Sequence, residues 1–152
     1  MKKILVSIMC LWAFANASFA QVDSNPSLDI DDIEVIVKGI NVAPKGDSVT
    51  LELVLHSYLK DPRELTINTF ASGLINPQGK VMFYESMMMG KVKVVFADRQ
   101  NYLHYFLKRN EPVLYTIKTV NWKKVWGKPQ QFRMTLEDHA EPGKFLQVDI
   151  PL

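Results

Sequence analysis

Apolar residues recur at every second position over much of this chain. The clearest run is 49–56, where valine and leucine alternate with mostly polar residues, and 33–38 repeats the pattern. A period of two matches a β-strand with one face turned to a core, and no window offers a convincing three-and-four spacing of a long helix. The alternation therefore predicts an all-β fold.

Turn-forming residues divide the chain at intervals of roughly ten residues. Asn76-Pro77-Gln78-Gly79 has the parts of a type I turn and predicts a hairpin between flanking apolar residues. Further strands are predicted at 65–69, 92–96, 102–107, 113–120, 131–136 and 145–150. About seven to nine short strands in this arrangement predict an antiparallel sandwich, with a small closed β-barrel as the alternative.

The order of these segments resembles the immunoglobulin-like sandwiches of small secreted bacterial proteins. The resemblance rests on a strand ending near Gly39, the alternation from Val49 to Ser57, the Asn76–Gly79 hairpin and a late strand opened by Glu111-Pro112. It implies a fold and carries over no functional residue. The cysteine pair that brackets a core tryptophan in antibody domains is missing.

The first twenty residues have the pattern of an export signal. Lys2-Lys3 precede an apolar run of about a dozen residues, which is too short for a permanent membrane helix. Small Ser18 and Ala20 suit a signal peptidase, so we expect cleavage after Ala20 and a periplasmic or extracellular mature protein. Residues 21–29 are predicted to be a flexible leader, and 30–152 a single domain.

Removing that signal changes the composition of the working molecule. The 18 basic residues lose Lys2 and Lys3, so the mature chain balances 16 acidic residues and has no net charge. A general argument for polyanion binding therefore loses its support, and we expect no nucleic-acid partner. Cys10, the only cysteine, leaves as well, so no disulfide is expected. No later segment is apolar enough for a transmembrane helix.

One segment has the composition of a binding surface. Residues 122–128 contain both tryptophans of the mature chain and three lysines, so Trp122, Lys123, Lys124, Trp126 and Lys128 are the candidate binding residues. Indole rings offer flat apolar faces to sugars or protein side chains, and ammonium groups attract acids. The alternative is that the tryptophans close one end of the sandwich.

A copper site is the weaker alternative. Met87, Met88, Met89 and His104 carry soft ligands that copper accepts. Adjacent strand residues point to opposite faces, however, so the methionines are better explained as filler at a bend before Gly90. The acids Asp29, Asp31, Asp32 and Glu34 lack the register of a calcium loop and are expected to be a solvated start to the first strand.

No motif of a common enzyme class is present. Gly-x-Ser-x-Gly, His-Glu-x-x-His and phosphate-binding glycine loops are all absent, and Asp138-His139 alone does not define a catalytic site. We therefore expect no enzyme and no cofactor, with an unrecognised cofactor-free hydrolase as the exception.

The leading hypothesis is a noncatalytic protein that binds a protein, glycan or envelope partner. A small-ligand or copper carrier is the alternative. An outer-membrane barrel is the third hypothesis. It is less favoured because the chain lacks the aromatic girdle of such barrels near its end.

Overall fold

Two antiparallel sheets form the fold in a computed structural model that describes residues 27–152. The predicted signal peptide, its cleavage site and Cys10 lie outside the described residues. The strands are β1 (Ser27–Ile30), β2 (Ile33–Val42), β3 (Ser48–Ser57), β4 (Arg63–Asn68), β5 (Gly73–Ile75), β6 (Val81–Met82), β7 (Tyr84–Met89), β8 (Val92–Val95), β9 (Tyr102–Leu107), β10 (Val113–Val120), β11 (Gln131–Glu137) and β12 (Phe145–Pro151). Short 3-10 helices occupy Phe96–Asp98 and Lys124–Trp126.

The architecture confirms the predicted all-β class. The chain forms two separate sheets, one of them curled into a half-barrel, rather than one closed barrel. Twelve strands appear in the described residues, against the seven to nine expected, because four of them are only two to four residues long.

The first sheet has the order β1-β2-β3-β10-β7-β8. Its centre is the pairing of β3 with β10, which runs without interruption from Val113 opposite Leu55 to Val120 opposite Ser48. The inward side chains of β3, Val49, Leu51, Leu53 and Leu55, are fully buried. The strong alternation in the sequence therefore marks the central strand of this sheet.

The second sheet is built around β11. β12 pairs with it along its whole length, while β5 and β4 share its other side, and β6 and β9 flank β5 and β4. The segment between β4 and β5 does not pair with β11. There, Ser72 Oγ accepts a hydrogen bond from the Thr135 backbone N–H at 2.9 Å. A side chain thus satisfies a buried donor that lacks a neighbouring strand.

The core lies between the inner faces of the two sheets. Phe132, Met134 and Leu136 of β11 are fully buried, as are Tyr84 and Tyr115 of the first sheet. The Tyr115 hydroxyl donates to Met87 Sδ at 3.1 Å, and burial raises the pKa of Tyr115 well above its usual range.

An ion pair outside the core joins the neighbouring strands β11 and β12. Arg133 donates two hydrogen bonds to the carboxylate of Asp149, which lies opposite it, and these lower the pKa of Asp149.

Two local predictions were wrong. The leader was expected to reach residue 29, but Ser27–Ile30 form β1 against β2, which leaves 21–26 outside the described residues. The methionines were expected at a bend, but they belong to strand β7. Met87 and Met89 are fully buried and Met88 is exposed, so the predicted alternation of faces holds for these three residues.

A buried ion pair connects the two sheets at one end of the sandwich. Arg63, the first residue of β4, donates from Nη2 to the Asp31 carboxylate at 2.6 Å and from Nη1 to the Asp31 carbonyl at 2.7 Å. The Asp31 carboxylate also accepts the His139 backbone N–H at 3.1 Å. Asp31 is therefore not the solvated acid that the sequence suggested, since its side chain is only 10% exposed.

We expect Asp31→Ala to lower the free energy of unfolding by about 3–5 kcal/mol, because it leaves the Arg63 guanidinium buried and unpaired. Urea denaturation followed by tryptophan fluorescence measures the loss. Glu52→Ala, which removes an exposed pair with Lys38, is the matched control and should cost less than about 1 kcal/mol. Equal losses would contradict a connecting role for Asp31.

Candidate binding surface

Trp122 is a buried anchor rather than a contact residue. It lies two residues after the end of β10, and it is only 3% exposed. Its backbone N–H donates to the Asp47 carbonyl at 3.1 Å, and its Nε1–H donates to the Gly127 carbonyl at 2.8 Å. The structure thus removes Trp122 from the five predicted contact residues and gives it the end-closing role that the sequence offered as the alternative.

Trp126 remains available at the surface. It ends the 3-10 helix Lys124–Trp126 and is half-buried. Its ring meets Trp122 edge to face, with centroids 5.1 Å apart and planes at 82°. The Lys123 Nζ lies 5.3 Å from the Trp126 ring centroid, within the range of a cation–π contact. Within residues 27–152 the Trp126 indole N–H donates to no protein atom, so it is free for a ligand.

A cleft of about 320 Å³ opens beside Trp126. One wall is the β5–β6 hairpin with Asn76, Pro77 and Gly79, and the other is the segment from Lys128 to Gln131 that leads into β11. Its volume is at the lower end of the range of ligand pockets, about 300–1,000 Å³. The Asn76 side chain accepts the backbone N–H groups of Gln78 and Lys80, so it shapes the hairpin rather than facing a ligand.

The hairpin that forms this wall is the one predicted from the sequence. The Gly79 backbone N–H donates to the Asn76 carbonyl at 2.8 Å, and Gly79 has a φ of 77°. Glycine adopts that backbone conformation without strain.

Two further lysines join the predicted three at this end. Lys80 follows the hairpin turn, and Lys45 lies in the β2–β3 loop, whose Gly46 packs directly against Lys124. Lys45, Lys80, Lys123, Lys124 and Lys128 are all exposed. Among the described residues none of the five lies within 4.0 Å of a carboxylate. We call these five residues the lysine cluster.

Charge is unevenly divided between the two ends of the sandwich. The loops 43–47, 76–80 and 121–130 contain the lysine cluster and a single acid, Asp47. At the opposite end, 31–32, 58–62, 90–91, 108–112 and 138–144 contain six acids, Asp31, Asp32, Asp61, Glu111, Asp138 and Glu141, and five bases, Lys60, Lys91, Lys108, Arg109 and Lys144. One end of the sandwich is therefore strongly basic, whereas charges at the other end nearly balance.

The structure does not bring the copper-site candidates together. Met87 and Met89 point into the core of the first sheet, and Met88 points away from it. His104 lies on the outer face of β9 in the second sheet, where its ring is 3.0 Å from Glu64. The described residues also contain no group of three or more histidine, cysteine, aspartate or glutamate side chains placed to hold a metal ion.

The acids near β1 form a second polar cluster. The Tyr58 hydroxyl donates to Glu34 at 2.5 Å, which raises the pKa of Tyr58, and the His56 ring lies 3.8 Å from the same carboxylate. His56 and Tyr58 also contact each other, with ring centroids 4.3 Å apart. These side chains contact one another across β2, β3 and the following loop, although His56 Nε2 is buried without a hydrogen-bond partner among the described residues.

Comparisons with known proteins return no match among family models, curated proteins or solved structures. The resemblance to immunoglobulin-like domains stays a prediction. Within residues 27–152 no helix has the length and apolar character needed to cross a membrane.

The two tryptophans should differ sharply in what they contribute to stability. Trp122→Ala opens a cavity and frees two loops, so we expect a loss of about 3–5 kcal/mol in the free energy of unfolding. Trp126→Ala removes a half-exposed ring and should cost less than about 2 kcal/mol. Urea denaturation followed by circular dichroism measures both. A larger loss for Trp126 would reverse the assignment of anchor and contact residue.

Proposed function

We propose that this chain is an exported, noncatalytic binding protein that contacts a partner of the cell envelope through the cleft beside Trp126. The observation that carries the proposal is a half-exposed indole held in place by a buried one, next to a concave surface. Aromatic rings that are fixed before binding lose little conformational entropy when a partner arrives, which is why tryptophan is frequent at contact sites.

Export is supported by the first twenty residues and by the chemistry of the remainder. The pattern of lysines, apolar run and small residues before Gln21 is that of a cleaved signal. The chain after Ala20 has no cysteine, so its stability depends on the two-sheet core and not on disulfide formation. The proposal places the mature protein in the periplasm or outside the cell.

The noncatalytic part of the proposal follows from what lines the cleft. Its side chains are an isoleucine, an indole, a lysine, prolines and amides. Lys128 is the one group among them that can act as a base or nucleophile, and it is exposed to water with no second catalytic group beside it in the cleft lining. The contacts of Asp31 and Glu34 are with neighbouring protein groups, so these carboxylates serve the fold.

Export predicts a shortened chain in the periplasm or medium of a bacterial host that expresses the full sequence. Mass spectrometry should find a protein beginning at Gln21. Leu11→Arg, which interrupts the apolar run, is the control and should leave the full-length chain in the cytoplasm. A full-length wild-type protein confined to the cytoplasm would refute export.

Partner binding predicts that Trp126→Ala loses retention of an envelope component. The mature protein is immobilised and exposed to an envelope fraction, and retained proteins and glycans are quantified by mass spectrometry. We expect at least about a tenfold drop in retention, since central aromatic contacts contribute 2 kcal/mol or more. Phe106→Ala removes a ring that is 59% exposed on β9 and should retain the component. Equal retention by the wild type and Trp126→Ala would exclude the cleft as the contact.

A further inference from the structure

The lysine cluster lies on three loops that are distant in sequence, at the same end of the sandwich as the cleft. Lys128 lines the cleft itself, and Lys123 holds its ammonium over the ring of Trp126. Lys80 follows the hairpin that forms the opposite wall, while Lys124 packs against Gly46, the residue after Lys45. Five like charges at one end repel each other, and no carboxylate among the described residues offsets that cost by pairing with them. Such a surface is complementary to a ligand with several negative groups.

The chemistry of the cleft restricts the kind of anion. Gln130 and Gln131 add amide groups beside Trp126 and Pro129, so the lining is an apolar ring surrounded by hydrogen-bonding groups. A sugar ring presents apolar C–H groups and hydroxyls together, which suits such a lining. The free indole N–H of Trp126 is a donor for a hydroxyl or an acid.

Single-stranded nucleic acid is a less suitable occupant. Binding of that kind depends on several exposed aromatic platforms on which successive bases stack. Among the described residues of the three loops at this end, Trp126 is the only aromatic side chain that is even half-exposed.

Resting on the proposed function, we propose that the partner is an acidic glycan, a polysaccharide whose rings carry carboxylate or phosphate groups. One sugar ring lies against Trp126, and its acidic groups and those of neighbouring rings contact the lysine cluster. The neutral total charge of the mature chain is compatible with this, because screening at physiological salt limits attraction to charges within about 8 Å.

Isothermal titration calorimetry with matched probes tests the proposal on the mature protein. The first pair is an oligogalacturonide and its methyl ester, in which a methyl group on each carboxyl removes the negative charge. The second is a phosphorylated dextran and unmodified dextran. We expect at least one acidic form to bind at least about tenfold more tightly than its neutral counterpart, and less tightly as salt rises. Whichever acidic form binds more tightly identifies carboxylate or phosphate as the source of charge.

Two triple variants separate the cluster from charge in general. Lys123→Gln/Lys124→Gln/Lys128→Gln should weaken acidic-glycan binding by at least about tenfold. Lys60→Gln/Lys91→Gln/Lys93→Gln removes the same charge from exposed lysines elsewhere and should change it by less than about threefold. Circular dichroism checks that both variants are folded. Equal effects of the two variants would overturn the proposal.

Three other outcomes would overturn the acidic-glycan inference without refuting the proposed function, which is partner binding at the cleft. If the methyl ester or plain dextran binds as well as the acidic form, and Trp126→Ala abolishes both, the cleft binds glycans but not through charge. If double-stranded DNA binds as tightly as the acidic glycans, the surface is a general polyanion site. If no glycan binds, the acidic-glycan assignment is wrong. The proposed binding function is then tested separately, by whether the wild type retains an envelope component that Trp126→Ala does not retain.

Discussion

The arrangement of the basic end depends on the burial of Trp122. Its indole fills the space beyond β10, and two hydrogen bonds tie the loop that follows to its surroundings, one to Asp47 and one to Gly127. Burying an indole removes about 150–250 Å² of surface from water, which is enough to fix a segment with little secondary structure of its own. Trp126 and the adjacent lysines owe their positions to this anchor. The same short segment therefore contains both the buried anchor and Trp126, the residue proposed to contact the partner.

Much of the fold could be read from the sequence, and the exceptions have identifiable causes. The alternation in β3 is uninterrupted, so the strand can be predicted from its apolar pattern. The Asn76–Gly79 turn can be predicted because it needs a glycine at positive φ. In β7 the register shifts against β10, and Glu85 is an extra residue between the inward Tyr84 and the inward Met87. That shift breaks the period of two and hides the strand. Lys38 interrupts β2 in the same way, between Val37 and Gly39.

The binding surface was only partly predictable for a different reason. Composition located the 122–128 segment, but it could not tell which indole is buried, because that depends on where the loop after β10 meets the β2–β3 loop. Lys45 and Lys80 join the cluster through contacts between loops separated by tens of residues. The net charge of the chain does not predict that these two lysines lie near the 122–128 segment.

The pairing of β3 with β10 at the centre of the first sheet has a consequence for how the chain folds. The two strands are separated in sequence by β4 to β9, so their contact requires a long segment to close before any of its backbone hydrogen bonds can form. Folds dominated by such distant pairings reach the native state in about milliseconds to seconds, slower than helical bundles. Until β10 arrives, β3 has only β2 beside it, with its other edge open. The most regular strand of the protein thus depends on a partner strand that is distant in sequence. While the edge of β3 is unpaired during folding, aggregation through that edge competes with the pairing to β10.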